Sequence, residues 1–177
     1  MEAQLKQHHE REKNTIEVYT DSDWSGSGEM KSTSSAVHVV NGIIVHSTSR
    51  SQTCISLSST EAEWYSASSG VCDAYYLQHI IDFATGTSCN VLVLHTDNSA
   101  VRMLSLKFGV GRLRHIRGRM LWLQQRMSNH ELDIRQVPTL QNIADMNTKS
   151  HSKNRFLALM CAFGLLPQKV QQLEKTS

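Results

Sequence analysis

The chain has 177 residues, a formal net charge of +2, 40% hydrophobic and 19% charged residues. That length suits one domain with a self-sufficient core, and the composition excludes a disordered, collagen-like or disulfide-dense chain. The near-neutral balance neither requires nor forbids a polyanionic partner.

The distribution of charge says more. Between Asn98 and His130 there is no Asp or Glu, while Arg102, Lys107, Arg112, Arg114, Arg117, Arg119 and Arg126 all fall there. A one-signed stretch of this kind is a footprint for phosphates, or else a solvated basic helix. Cys54, Cys72, Cys89 and Cys161 include no C-x-x-C pair and read as reduced thiols rather than a disulfide framework or a zinc site. The N-terminus is polar and no apolar run reaches membrane-spanning length, so a soluble cytoplasmic or nuclear chain is expected, with no membrane partner.

Residues 1–14 read as a polar tail or linker, 15–166 as one domain and 167–177 as a polar C-terminal tail. Thr15 to Trp24 is a β-rich run that ends on Asp21 and Asp23, placing a carboxylate at the rim of a core. The same acids also suit the start of a turn. Ala36–Val40 and Ile43–Ser47 flank Asn41-Gly42, a strong hairpin signal, so the first three strands form an antiparallel meander. Ser56 to Glu63 opens a helix reaching about Ala84 and closed by Gly86, with Trp64, Ala67, Val71, Ala74, Leu77 and Ile81 at helical spacing. Val91–Leu94 is a continuous apolar run, the pattern of a central strand, and it leads into Asp97. A short helix from Ser99, a basic helix over about Leu113–Met127, a strand over Leu132–Val137 stopped by Pro138, a short helix at Asn142–Asp145 and an apolar helix over Phe156–Leu166 complete the chain. The order β-β-β-α-β-α-α-β-α predicts an α/β fold: a mixed five-stranded sheet, a three-stranded meander plus two α-linked strands, flanked by helices.

Four acids occupy corresponding places: Asp21 and Asp97 at strand ends, Glu61 and Asp145 at helix starts. Parallel strands would bring Asp21 and Asp97 to one sheet edge, where ligands of open α/β sheets bind. Converging carboxylates repel unless a cation holds them, and oxygen donors without Cys or His suit Mg²⁺ or Mn²⁺. Two such ions about 4 Å apart can activate water and stabilise a leaving oxygen in phosphodiester cleavage. Ser58 with Glu61 and Thr60 with Glu63 each match a capping box. We assign the cap to Glu63 and the metal-facing position to Glu61. Asp97 and Asp145 also suit helix N-termini as dipole partners.

The strings TDSDW (20–24), KSTSS (31–35), SLSSTEAEW (56–64), HTDNSA (95–100), RHI (114–116), QVPT (136–139) and NIADMNTK (142–149) resemble the ribonuclease H domain that ends copia-type retrotransposon polyproteins. The resemblance covers about Thr15 to Leu166 and implies a ribonuclease H-like fold. It implies that Asp21, Glu61, Asp97 and Asp145 are the metal ligands for two Mg²⁺ ions, and that the RNA strand of an RNA–DNA hybrid is hydrolysed to 5′-phosphate and 3′-hydroxyl ends. It also implies a reverse transcriptase as neighbour in the parent polyprotein. Cellular and retroviral relatives carry a histidine in the loop before the fourth acid; here that loop is Pro138-Thr139-Leu140-Gln141, which implies slower turnover. Met30 and Ser150 replace a usual basic residue and a usual proline without touching a ligand.

For the substrate, Arg112, Arg114, His115 and Arg117 are candidates for phosphate contacts, and Ser22 and Asn98 for polar contacts to the RNA strand. Asn98 equally suits a helix cap. Trp24 can stack on a sugar or sit at the edge of the core, and His38 and His46 read as structural. Two other functions fit the same fold: a domesticated domain that binds nucleic acid or a partner without cleaving, and a DNA strand-transferase. The early position of Glu61 disfavours the latter.

Overall fold

The computed structural model describes residues 14–25, 31–88, 92–106, 117–162 and 164. Strands β1 (Ile16–Asp23), β2 (Thr33–Val40) and β3 (Ile43–Ser51) form the expected meander. Helix α1 (Ser59–Thr85) leads to β4 (Leu92–Thr96), then α2 (Ser99–Ser105), α3 (Arg117–Ser128) and β5 (Leu132–Gln136). Two 3-10 turns, Thr139–Gln141 and Ile143–Asn147, precede helix α4 (Lys153–Ala162). The five strands make one mixed sheet in the order β3-β2-β1-β4-β5.

Local chemistry explains the boundaries. At the β2–β3 hairpin Asn41 and Gly42 have φ of 50° and 79°, the left-handed pair that a two-residue turn of this hand requires. Helix α1 ends on Gly86 at φ 63°, whose N–H bonds back to the Asp82 carbonyl. β4 is buried along its whole length, as its unbroken apolar run requires. It pairs in parallel with β1 from Ile16↔Leu92 to Tyr19↔His95, so the two strands deliver Asp21 and Asp97 from the same edge.

The core lies between this sheet and α1. Ile16, Val18, Trp64, Ala67, Val71, Leu92, Leu94 and Ile134 form its centre, with Val101 and Leu123 from α2 and α3 closing it. Buried His38 sets its Nε2 at 2.9 Å from the Gly70 carbonyl oxygen, tying β2 to α1. Burial keeps its pKa below the usual histidine range, so the neutral ring donates that bond. Asn14 is also buried, reaching Thr85 and Thr87 through its amide. Residues 1–13 and 165–177 lie outside the described residues. So does Cys89; Cys54, Cys72 and Cys161 are free thiols.

Close approach of α1 to the sheet rests on Gly70. A Cβ there would stand 2.8 Å from Thr20 Cγ2 and 3.1 Å from Ala36 Cβ. Gly70→Ala is therefore expected to destabilise the domain by about 1–3 kcal/mol through overpacking, despite alanine's better helix propensity. A denaturant melt checks this, and an unchanged or raised midpoint would contradict it.

Candidate active site

The parallel register brings Asp21 and Asp97 together, and a glutamate from α1 meets them. Ligand oxygens of Asp21, Glu63 and Asp97 lie within 4.8 Å of one another. Asp21 is 1% exposed and Glu63 7%. The Ser22 N–H and hydroxyl both donate to Glu63 Oε1, at 3.2 and 2.9 Å. Among the described residues, buried Oε2 of the same carboxylate has no hydrogen-bond partner. Burial, reinforced by the nearby charges of Asp21 and Asp97 and opposed by the Ser22 bonds, pushes the Glu63 pKa up to about 8. Burial also raises Asp21, against the pull of Thr148 and Lys149.

This corrects the expected roles of the two glutamates. Ser58 is the N-cap of α1, in extended conformation at φ −157° and ψ 160°, and its side chain accepts from the Glu61 N–H. Glu61 completes the cap by accepting from the Leu57 N–H at 2.7 Å through Oε2. Starting the helix at Ser59 places Glu61 at the third helical position and turns Glu63 toward the strand ends. Glu63, not Glu61, therefore shares the cluster with Asp21 and Asp97.

Asp145 approaches from the other side. Asn142 caps its 3-10 turn by accepting from the Ala144 N–H, and its Nδ2 donates to the Thr20 carbonyl at 3.0 Å. Asn147 Nδ2 reaches Ser35 and Ser47, so the turn is fastened across the first three strands. Asp145 is buried beside Lys149, whose Nζ lies 2.7 Å from Asp145 Oδ1 and 3.2 Å from Asp21 Oδ2. Arg155 Nη2 lies 3.3 Å from Asp145 Oδ2. Thr148 donates a hydrogen bond from its hydroxyl to Asp21 Oδ2. His151 sets its Nε2 at 2.8 Å from the Asp145 carbonyl oxygen. Desolvation works against the Lys149 charge, but its bond to Asp145 and the pull of Asp21 win and raise its pKa.

The expected substrate contacts are redistributed. Ser22 is buried and engaged with Glu63, so it holds a carboxylate rather than facing a ligand. Asn98 Oδ1 accepts from the Ala100 and Val101 N–H groups and caps α2. Trp24 is half exposed and donates from Nε1 to the Ser56 carbonyl. Arg112, Arg114 and His115 lie outside the described residues, and Arg117 is described only as the first residue of α3. Arg126 packs over Tyr75 and Trp122 and pairs with Glu131, a structural role.

A feature the sequence reading missed is a polar cleft of about 210 Å³ lined by Ser34, Arg50, Gln52, Thr53, Tyr65 and Arg119, among others. Register places Arg50 opposite Ser34 and Ser34 opposite Ser22, so the cleft is two strands from the acids, roughly 10 Å. Arg50 pairs with Asp73 and Arg119 stacks over Tyr65.

Comparison with known proteins agrees with this architecture. The structure is similar to the N-terminal ribonuclease H domain of a Mycobacterium tuberculosis protein, with a TM-score of 0.56 and 15% identity over 84% of this chain and 97% of that one. It is also similar to ribonuclease H1 of Halobacterium salinarum, at 0.52 and 19% over 73% of this chain and 90% of that one. LC11-RNase H1, solved in complex with an RNA/DNA hybrid, gives 0.52 and 14% over 75% and 92%. The fold is that of ribonuclease H. In sequence, 143 residues are 28% identical to the retrovirus-related Pol polyprotein from transposon TNT 1-94 of Nicotiana tabacum, covering 80% of this chain and 11% of that polyprotein. The chain thus has a ribonuclease H fold and is similar in sequence to part of a retrotransposon polyprotein, spanning about a tenth of the length of that relative. No family model matches it.

The cluster suits a hard divalent cation. All its donors are carboxylate oxygens, one is buried without a partner, and repulsion within the cluster is what a cation would relieve. Among the described residues no helix is long and apolar enough to cross a membrane.

Proposed function

We propose that this domain is a metal-dependent endonuclease that hydrolyses the RNA strand of RNA–DNA hybrids. The reading is carried by the Asp21–Glu63–Asp97 cluster, with the buried unpartnered oxygen of Glu63, at the strand ends of a ribonuclease H fold. Asp21, Glu63 and Asp97 would hold one Mg²⁺ or Mn²⁺, and Asp21 with Asp145 a second. When bound, such ions supply activation of a water and stabilisation of charge on the phosphate.

The chain's own groups prepare that chemistry. Ser22 fixes the Glu63 carboxylate through two bonds, and Thr148 fixes Asp21, so the oxygens need little reorganisation. Asn142 sets the turn that carries Asp145. The cleft with Arg50 and Arg119 is a second anchor, suited to a backbone phosphate away from the scissile bond. We assign Arg112, Arg114, His115 and Arg117 to phosphate contacts on the DNA strand, from their place in the acid-free stretch. Hydrolysis would break the P–O3′ bond, leaving a 5′-phosphate and a 3′-hydroxyl. In the parent polyprotein the domain would work beside a reverse transcriptase.

The test is cleavage of a labelled RNA–DNA hybrid with Mg²⁺ and with Mn²⁺, beside Asp97→Asn. The expected result is metal-dependent cutting of RNA alone, reduced at least about a hundredfold in the variant while its melting temperature holds. Wild-type activity in Asp97→Asn, or cutting of duplex DNA but not of hybrid, would overturn the reading.

A further inference from the structure

The two cation positions of the proposed site are not equivalent in this structure. Around Asp21, Glu63 and Asp97 the carboxylate oxygens face one another, and Glu63 Oε2 has no hydrogen-bond partner among the described residues. Between Asp21 and Asp145 the space already holds a positive charge. Lys149 Nζ lies 3.2 Å from Asp21 Oδ2 and 2.7 Å from Asp145 Oδ1. Both carboxylates are nearly fully buried, while the lysine side chain is 40% exposed. Its stem can therefore swing the ammonium into water, while the short buried side chains of the acids have little room to follow.

We propose that Lys149 is an exchangeable resident cation of the Asp21–Asp145 position, which a second divalent ion must displace in order to bind. This rests on the metal-site reading above and adds an order of loading to it. An ammonium and a divalent ion compete for the same oxygens, and the lysine competes from within the chain at high effective concentration. The ion held by Asp21, Glu63 and Asp97 meets the ammonium at one carboxylate, Asp21, whereas the second meets it at both of its carboxylates, so the first binds first. The second binds more weakly, so Lys149 sets the metal concentration at which the site is complete. Thr148 and Arg155 each hold one flank of the pair, to Asp21 Oδ2 and Asp145 Oδ2, and keep both carboxylates aimed at the shared position after the ammonium leaves.

The test is to count bound Mn²⁺ by electron paramagnetic resonance, without substrate, in the wild-type chain, Lys149→Met and Lys149→Arg. Lys149→Met is expected to tighten the second Mn²⁺ by roughly tenfold or more and to change the first by much less. Lys149→Arg keeps a cation in place and should hold the second ion near its wild-type affinity. The metal-free melting temperature of Lys149→Met should fall and recover when Mn²⁺ is added, which separates lost charge balance from misfolding. A second-ion affinity within about twofold of wild type in Lys149→Met would overturn the proposal; if that variant still bound Mn²⁺ and cut hybrid, the metal-site reading would survive. Absence of Mn²⁺ binding in all three chains would remove both.

Discussion

Replacing Glu63 by Gln is expected to lower metal-dependent cleavage of an RNA–DNA hybrid by at least about 10²–10³-fold, whereas Glu61→Gln leaves it nearly unchanged. The two glutamates are two positions apart in the STEAE run, both are buried, and both match a helix-start pattern, yet their surroundings differ. Glu63 faces Asp21 and Asp97 and is held by Ser22. Removing its charge takes away a donor that a divalent ion requires. Glu61 accepts from the Leu57 N–H at the start of α1, a bond that a glutamine oxygen can also accept. Its substitution should cost less than about 1 kcal/mol of stability. Single-turnover cleavage and thermal melts of both variants in parallel decide the matter. Loss of activity in Glu61→Gln with retention in Glu63→Gln would reverse the assignment.

The second large effect is a dependence of metal binding on pH. Burial and the charges of Asp21 and Asp97 hold the Glu63 pKa at about 8, against an ordinary glutamate value of 4.5. The metal-free site therefore carries a proton at neutral pH, and a binding ion must displace it. Apparent affinity for Mg²⁺ or Mn²⁺ should rise by up to about tenfold per pH unit below pH 8 and level off above it. Stability follows the complementary sign. A carboxyl whose pKa is raised on folding stabilises the metal-free protein fully below pH 4.5, and that contribution is lost as pH climbs through about 8. The raised pKa of Asp21 acts in the same direction. Melting temperature without metal should fall across this window by an amount equivalent to a few kcal/mol, and added metal should restore it. Glu63→Gln should flatten both profiles. Calorimetric titrations over about pH 6–9 check the prediction, and a flat metal affinity in the wild-type chain would contradict it.

Much of the fold can be read from local chemistry. Asn41-Gly42 fixes a hairpin, Gly86 ends a helix, and the apolar run of β4 can only be a strand covered on both faces. Parallel pairing of β1 with β4 then follows from the helix between them, and with it the meeting of Asp21 and Asp97. The choice between Glu61 and Glu63 was not legible, because Ser58 and Thr60 both head an acceptable capping box. The extended backbone at Ser58 decides it, and that depends on how the loop before α1 packs.

Ser22 did carry a usable signal. Strand alternation puts it on the side of Val18 and Thr20, the side on which α1 packs, and so beside Glu63 rather than toward a ligand. Asn98, a candidate for substrate contact or for a helix cap from sequence, serves as the cap of α2. The cleft of Arg50 and Arg119 unites residues far apart in sequence through the β1–β2–β3 register and the docking of α3, and no short pattern announces it. The bridge from Lys149 to Asp21 spans 128 positions and was hidden for the same reason.

The most direct test of the central claim, that Asp21, Glu63 and Asp97 form a divalent-cation site, is a crystal structure of the domain with Mn²⁺, the ion located by its anomalous scattering. A peak coordinated by those three carboxylates is expected, with Glu61 still bonded to the Leu57 N–H. A peak on Glu61, or no peak near the three acids at a saturating Mn²⁺ concentration, would contradict it.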